Sequence, residues 1–290
     1  LVARDGILVT PALELDAVDS DAQGILDATA TLAPVRIQFT PQAAFADLIA
    51  LSPFLEGAPG TSLFGMSDGP LVLVAANGVR LTFSAVAITQ MPDLSLGASG
   101  AVAGAVTFLA LGARGLPITA ANRLVTIDTT TPPTFPAVVP QLTDDYEIVW
   151  GSSPWIHLRA RDGVSVRFTM KSKPVLSAAN ALLDMTLESL TVTASFTPAT
   201  PAGPAEADVV AALQAQGELP GRLLSQGANA LTIAGEHLYF QMPLAQLTAG
   251  PMAFDATQSR VGELVFTATR ALLEAEEELS GLATLSEGEP

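Results

Sequence analysis

Apolar and polar residues alternate along much of this chain with the period of a β-strand. Val35, Ile37 and Phe39 fall on one parity and Arg36 and Gln38 on the other, the signature of a half-buried strand. Upstream, from Ile25, the same stretch puts Asp27, Thr29 and Thr31 on the parity that later becomes apolar. That predicts either a bulge near Pro34 or a strand end facing water. Gly6 to Thr10 is an apolar, β-branched run after an Asp-Gly turn signal. Further extended segments are predicted at 70–76, 78–91 and 101–111, and again at 147–150, 230–234, 236–248 and 260–270. The helical period occurs twice. Thr40-Pro41 reads as an N-cap for a helix over 42–51, whose apolar face is Ala44, Phe45, Leu48, Ile49 and Leu51, with Pro53 as its stop. A second helix is predicted from Pro204, with Val209, Val210 and Leu213 as its stripe.

These segments come in the same order twice. Ala3-Arg4-Asp5-Gly6 recurs as Ala160-Arg161-Asp162-Gly163, and Phe39-Thr40-Pro41 as Phe196-Thr197-Pro198, at one spacing (163 − 6 = 157). Gly78 to Phe83 matches Gly235 to Phe240 at that spacing, and the register drifts by one where Gly104 and Phe108 meet Gly262 and Phe266. A period this long predicts two domain-sized modules, since solenoid repeats run about 20–50 residues. The expected division is module one over 1–111, a Pro/Thr-rich connector over 112–146, module two over 147–272 and an acidic C-terminal tail over 273–290. A short strand is expected within the connector, around Leu124 to Ile127. The expected fold class is mainly β: tandem duplicated modules forming a β-sandwich or β-barrel, each with one flanking α-helix.

Composition narrows the function. The net charge is −16, and Lys171 and Lys173 are the only lysines, so neutralising a nucleic-acid backbone is not what this surface suits. An acidic surface lets DNA pass without holding it. There are no cysteines, which excludes disulfides and thiolate sites. The start lacks a basic segment followed by an apolar core, so no signal peptide is expected. Leu94 to Ala113 carries no charge and contains Gly100 and Gly104 at GxxxG spacing, yet its counterpart carries Asp255, Arg260 and Glu263; a strand pair is expected there, not a membrane span.

Reactive constellations are sparse. His157 and His237 are the only histidines, and His237 stands where the other copy has Arg80, so structural roles are expected. Asp144-Asp145 reads as a solvated turn and Glu276 to Glu278 as a solvated helix face. Gly97-Ala98-Ser99-Gly100 lacks the Gly-Lys-Ser/Thr ending of a phosphate loop, and Gly151-Ser152-Ser153 lacks a nucleophile's histidine partner at a known spacing. No catalytic residue, cofactor or metal is expected, and the chain is read as non-enzymatic.

The order of segments resembles the major tail tube proteins of long-tailed bacteriophages. The likeness rests on Gly78-Val79-Arg80-Leu81-Thr82-Phe83, Gln90-Met91-Pro92-Asp93-Leu94 and Gly104-Ala105-Val106-Thr107-Phe108, with Tyr146 to Gly151 and Arg260 to Ala268 in the second half. The resemblance implies a structural virion protein of the tail, assembled in the host cytoplasm. Its partners would be copies of itself in trimeric rings of pseudo-sixfold symmetry, stacked into a tube, and other tail proteins at the tube ends. DNA would pass through the lumen without specific binding, and no membrane would be involved. Candidate lumen-facing residues are Asp27, Thr29 and Thr31 with their counterparts Asp184, Thr186 and Glu188. The alternatives are another β-rich virion component, such as a tail-end hub or decoration protein, and a tandem β-sandwich binding module, which the few aromatics (6%) disfavour.

Overall fold

The computed structural model describes residues 3–11, 14–20, 24–32, 34–41, 53–66, 70–97, 100–111, 124–132, 146–151, 156–176, 182–199, 229–235, 238–250, 252–254, 259–270 and 281–287. The described chain is nearly all strand, so the fold is mainly β, as the alternation predicted. The helices expected over 42–51 and from Pro204 lie outside the described residues. A single helical turn, α1 (Pro53–Glu56), starts at the proline expected to end a helix. Proline suits a first turn because its missing N–H would have no helical partner there.

The first half contributes β1 (Ala3–Pro11), β2 (Glu14–Ser20), β3 (Gly24–Leu32), β4 (Val35–Pro41), β5 (Leu71–Val74), β6 (Val79–Phe83), β7 (Ala85–Gln90), β8 (Leu94–Gly97), β9 (Gly100–Ala103), β10 (Val106–Leu111) and β11 (Val125–Thr129). The second contributes β12 (Glu147–Trp150), β13 (Ile156–Leu176), β14 (Leu182–Pro198), β15 (Asn229–Ala234), β16 (Leu238–Ala249), β17 (Met252–Phe254), β18 (Ser259–Val261), β19 (Leu264–Ala268) and β20 (Thr284–Glu287). The long stretch from Ile25 to Phe39 is two strands parted at 33–34, where Pro34 cannot donate to a ladder. Its counterpart β14 runs on unbroken.

The sheets repeat one pairing scheme. β1 lies on β4 with Ala3 opposite Pro41, Ile7 opposite Phe39 and Val9 opposite Ile37; β13 lies on β14 with Ala160 opposite Pro198, Val164 opposite Phe196 and Val166 opposite Ala194. Every one of these positions is related by 157 (for example 196 − 39 = 157). Both ladders slip at the same place, between Ala3 and Ile7 and between Ala160 and Val164. The Arg-Asp-Gly repeat therefore forms a β-bulge inside a continuous strand, not a turn before one. Gly6 and Gly163 sit there at φ 89° and 95°, a conformation that side chains with a Cβ resist.

Beyond that, β4–β10–β7 reappears as β14–β19–β16. Val106 faces Phe39 as Leu264 faces Phe196, a spacing of 158 (264 − 106 = 158). Phe108 faces Ile88 as Phe266 faces Leu247, with β7 and β16 related by 159 (247 − 88 = 159). That register equates Leu81 with Phe240 and Phe83 with Met242. It thus differs by two from the sequence match of Gly78–Phe83 to Gly235–Phe240. The β15–β16 connection is one residue shorter than the β5–β6 connection, and repeated glycine and phenylalanine concealed the slip.

Two strands extend the sheets past the expected boundaries at 111 and 272. β11, in the region read as connector, pairs with β6, and β20, in the region read as tail, pairs with β16. Thr129 faces Val79 as Glu287 faces Leu238 (287 − 129 = 158). Ala283 and Leu285 beside β20 are buried, so this part of the acidic end belongs to the core. One apolar cluster runs from Ile37, Phe39 and Phe108 in the first half to Phe196, Phe240 and Phe266 in the second.

Candidate assembly surface

The halves are joined by strand pairing. β8 and β9 come from the first half but extend the second half's sheet, whose order is β12-β15-β16-β19-β14-β13-β8-β9. β8 lies antiparallel on β13, with Leu96 opposite Val164, Ser95 opposite Ser165 and Leu94 opposite Val166. The fit is close. A Cβ on Gly163 would come within 2.3 Å of the Leu96 carbonyl oxygen. The Phe168 N–H donates to the Asp93 carboxylate at 3.2 Å. Gly97 lies across from Gly100 at the end of this hairpin, so both glycines have a place in the β8–β9 ladder.

Among the described residues the corresponding edge of the first half is open: β1 pairs with β4 alone and ends its sheet. Val164 is buried whereas its counterpart Ile7 is 39% exposed, and Ser165 is half-buried whereas its counterpart Leu8 is 62% exposed. Among the described residues no heavy atom lies within 4 Å of the would-be Cβ of Gly6.

Each half carries a further two-stranded ladder, or arm, at matching positions. In the second it is the far end of β13 with the start of β14; in the first it is β2 with β3. Lys171, Lys173 and Val175 face Ser189, Thr186 and Asp184, as Glu14, Asp16 and Val18 face Leu32, Thr29 and Asp27. Thr31 and Glu188 are each the extra residue of a bulge. Both lysines of the chain thus stand where the other arm has acids.

The six residues predicted to line a lumen occupy those arms. Asp27, Thr29 and Thr31 share one parity of β3. Asp184, Thr186 and Glu188 lie on the face of β14 opposite the buried Met185 and Leu187, and Glu188 is exposed. Asp184 has a local role as well. Its carboxylate accepts from the Ser62 hydroxyl at 2.9 Å and from the Met185 N–H at 2.8 Å. Backbone bonds from Leu63 N–H to the Met185 carbonyl and from Leu187 N–H to the Thr61 carbonyl hold the 60–63 segment along β14. Asp184→Ala is expected to cost about 1–3 kcal/mol by leaving these donors without their acceptor. A chemical-denaturation midpoint equal to wild type would contradict that role.

Other sequence candidates are dispersed. The exposed His157 Nδ1 lies 2.7 Å from Glu147 Oε1 across the β12–β13 pair. His237, Asp144-Asp145, Ser152-Ser153 and Glu276 to Glu278 lie outside the described residues. Among the described residues no three His, Cys, Asp or Glu side chains are grouped to hold a metal ion, and no helix is long and apolar enough to cross a membrane. Arg80 and Asp128 form an exposed bidentate pair across β6 and β11, with the Asp128 carboxyl held below its ordinary pKa by the Arg80 hydrogen bonds. Sequence reasoning did not single out the β8–β13 contact. Its one available signal was that the charged Asp255, Arg260 and Glu263 stretch answers the uncharged 94–113 run.

No family model matches the chain, and no curated protein matches its sequence.

Proposed function

We propose that this protein is a two-module tail tube subunit of a long-tailed bacteriophage, self-assembling into stacked rings that conduct DNA. The observation that carries this reading is the recurrence of one pairing scheme in both halves, with the half-to-half edge filled in one case and open in the other. A repeated module with one satisfied and one vacant edge favours a head-to-tail contact, and such contacts generate rings when the rotation closes. Closure also removes the exposed strand edge, an aggregation hazard in a free chain. Three chains with two modules each would give six modules per ring.

The net charge of −16 suits a conduit that must not retain DNA. Within this reading the lumen-facing groups are Asp27, Thr29, Thr31, Asp184, Thr186 and Glu188, supported by their matching strand positions. The test is negative-stain electron microscopy of purified protein at high concentration. Rings or tubes with a central hole are the expected result. Uniform small particles at every concentration would turn the assignment toward an accessory virion protein or a binding module.

A further inference from the structure

We infer that the β17–β18 hairpin is the head-to-tail connector between copies of this chain. Its edge strand β17 adds antiparallel to β1 of the next copy, with Phe254 opposite Ile7, Ala253 opposite Leu8 and Met252 opposite Val9. The inference rests on the ring reading above for closure of the contact, and on the pairing registers for everything else.

The registers lead there directly. β17 and β18 pair Met252 with Val261, Ala253 with Arg260 and Phe254 with Ser259. β8 and β9 pair Leu94 with Ala103, Ser95 with Val102 and Leu96 with Ala101. The two hairpins coincide at a spacing of 158 (252 − 94 = 158). Within the chain, the first hairpin docks on β13 at Val164, Ser165 and Val166. The second hairpin, among the described residues, pairs with nothing beyond itself. The counterparts of Val164, Ser165 and Val166 are Ile7, Leu8 and Val9, which form the open edge of β1. One chain therefore carries both the plug and the socket of a contact whose geometry it already displays internally, and a single chain cannot close it on the pattern it displays.

Three further features fit this occupant. Gly6 keeps the positive φ of Gly163, and no described residue lies beside it where Gly163 meets the Leu96 carbonyl. The counterpart of that carbonyl belongs to Phe254. The second is the Phe168 N–H bond to Asp93, whose two positions correspond to Pro11 and Pro251 (168 − 157 = 11; 93 + 158 = 251). Proline has no N–H to donate, so the missing carboxylate leaves no donor orphaned. The third is charge. Lys171 and Lys173 of the second half stand at the positions that Glu14 and Asp16 hold in the first, so a second half set beside a first half is complementary in charge where two like halves are not.

The chain has no cysteine of its own, so disulfide trapping reads the contact cleanly. Leu8→Cys and Ala253→Cys proteins are mixed and oxidised with diamide. The expected product is a covalent dimer joining the two variants. A mixture of Leu8→Cys with Ser259→Cys, on the far strand of the hairpin, should join much less. Ser95→Cys/Ser165→Cys in one chain should close within the monomer and serves as the benchmark for the same geometry. Independently, Leu8→Asp should raise the concentration for half-assembly about tenfold, since its counterpart Ser165 is half-buried beside β8 and a charge there would be partly desolvated on docking.

If wild-type protein forms rings and the benchmark closes, yet Leu8→Cys and Ala253→Cys do not join, the connector lies elsewhere and the ring reading survives. Wild-type protein that sediments as a monomer at all concentrations, with no cross-link, overturns both.

Discussion

Replacing Phe266 by alanine is expected to lower stability by about 3–5 kcal/mol, the cost of a large cavity in a packed core. Phe266 is almost fully buried on β19 and meets two other rings. It stacks on Phe196 at 5.8 Å between centroids and receives Trp150 edge-on at 5.2 Å. Each such pair contributes about 0.5–1.5 kcal/mol beyond area burial. Trp150 is anchored in turn by its indole N–H, which donates to the Ala245 carbonyl. Losing Phe266 therefore loosens β12, β14 and β16 together. Phe108, the residue at the matching place in the first half, stacks at 6.1 Å on one ring among the described residues, Phe39. Phe108→Ala should consequently cost less than Phe266→Ala. Urea unfolding of both variants checks the order, and equal midpoints would mean that the rings around Phe266 add nothing beyond their area.

The second large effect distinguishes two glycines that sequence alone cannot tell apart. Gly163→Ala forces a Cβ to within 2.3 Å of a backbone oxygen on β8, and its φ of 95° is strained for any residue with a Cβ. Backbone atoms cannot swing aside as the end of a side chain can, so β8 must move off β13. Gly6→Ala carries the conformational strain, about 1–2 kcal/mol, without the collision. Gly163→Ala should therefore unfold at clearly lower denaturant than Gly6→Ala when both are measured as dilute protein. In the assembled state the order should change its meaning. If β17 of another copy seats on β1, Gly6→Ala meets there the obstruction that Gly163→Ala meets within the chain, and assembly of Gly6→Ala should fail while its fold persists. Normal assembly of Gly6→Ala would argue that nothing approaches Gly6.

Much of the local structure was legible beforehand because it depends on neighbours in sequence. The parity of Val35, Ile37 and Phe39 predicted β4, and Ile37 and Phe39 are indeed buried. The apolar runs marked β5, β12 and β15 within a residue or two, whereas the single segment expected over 260–270 is two strands, β18 and β19. The short strand expected after Leu124 is β11. Other features were misread for physical reasons. Asp-Gly permits a turn and a bulge equally, since both need a positive φ at glycine, and only the pairing on β4 and β14 selects the bulge. The acidic end looked like a solvated tail because Ser286 and Glu287 are polar, but a strand needs only one apolar face, and Leu285 supplies it beside Phe240. The candidate arms were found by their acids, while Glu14 and Asp16 escaped attention. Their importance lies in facing the positions that Lys171 and Lys173 occupy in the other arm, a relation that appears only once the ladders are aligned.

The sequence by itself determined the strand parities, the recurrence of Arg-Asp-Gly, the spacing of 157 and the acidic balance that speaks against gripping nucleic acid. Each of these rests on side-chain chemistry at fixed positions. Only the tertiary structure decided which edges meet: that β8 and β9 leave their own half to dock on β13, and that, among the described residues, β1 ends its sheet and β17 pairs with β18 alone. The reason is that strand edges join through backbone N–H and carbonyl groups, which nearly every residue carries alike. Local sequence can therefore state that a strand exists, but its neighbour is chosen by the path of the whole chain in three dimensions.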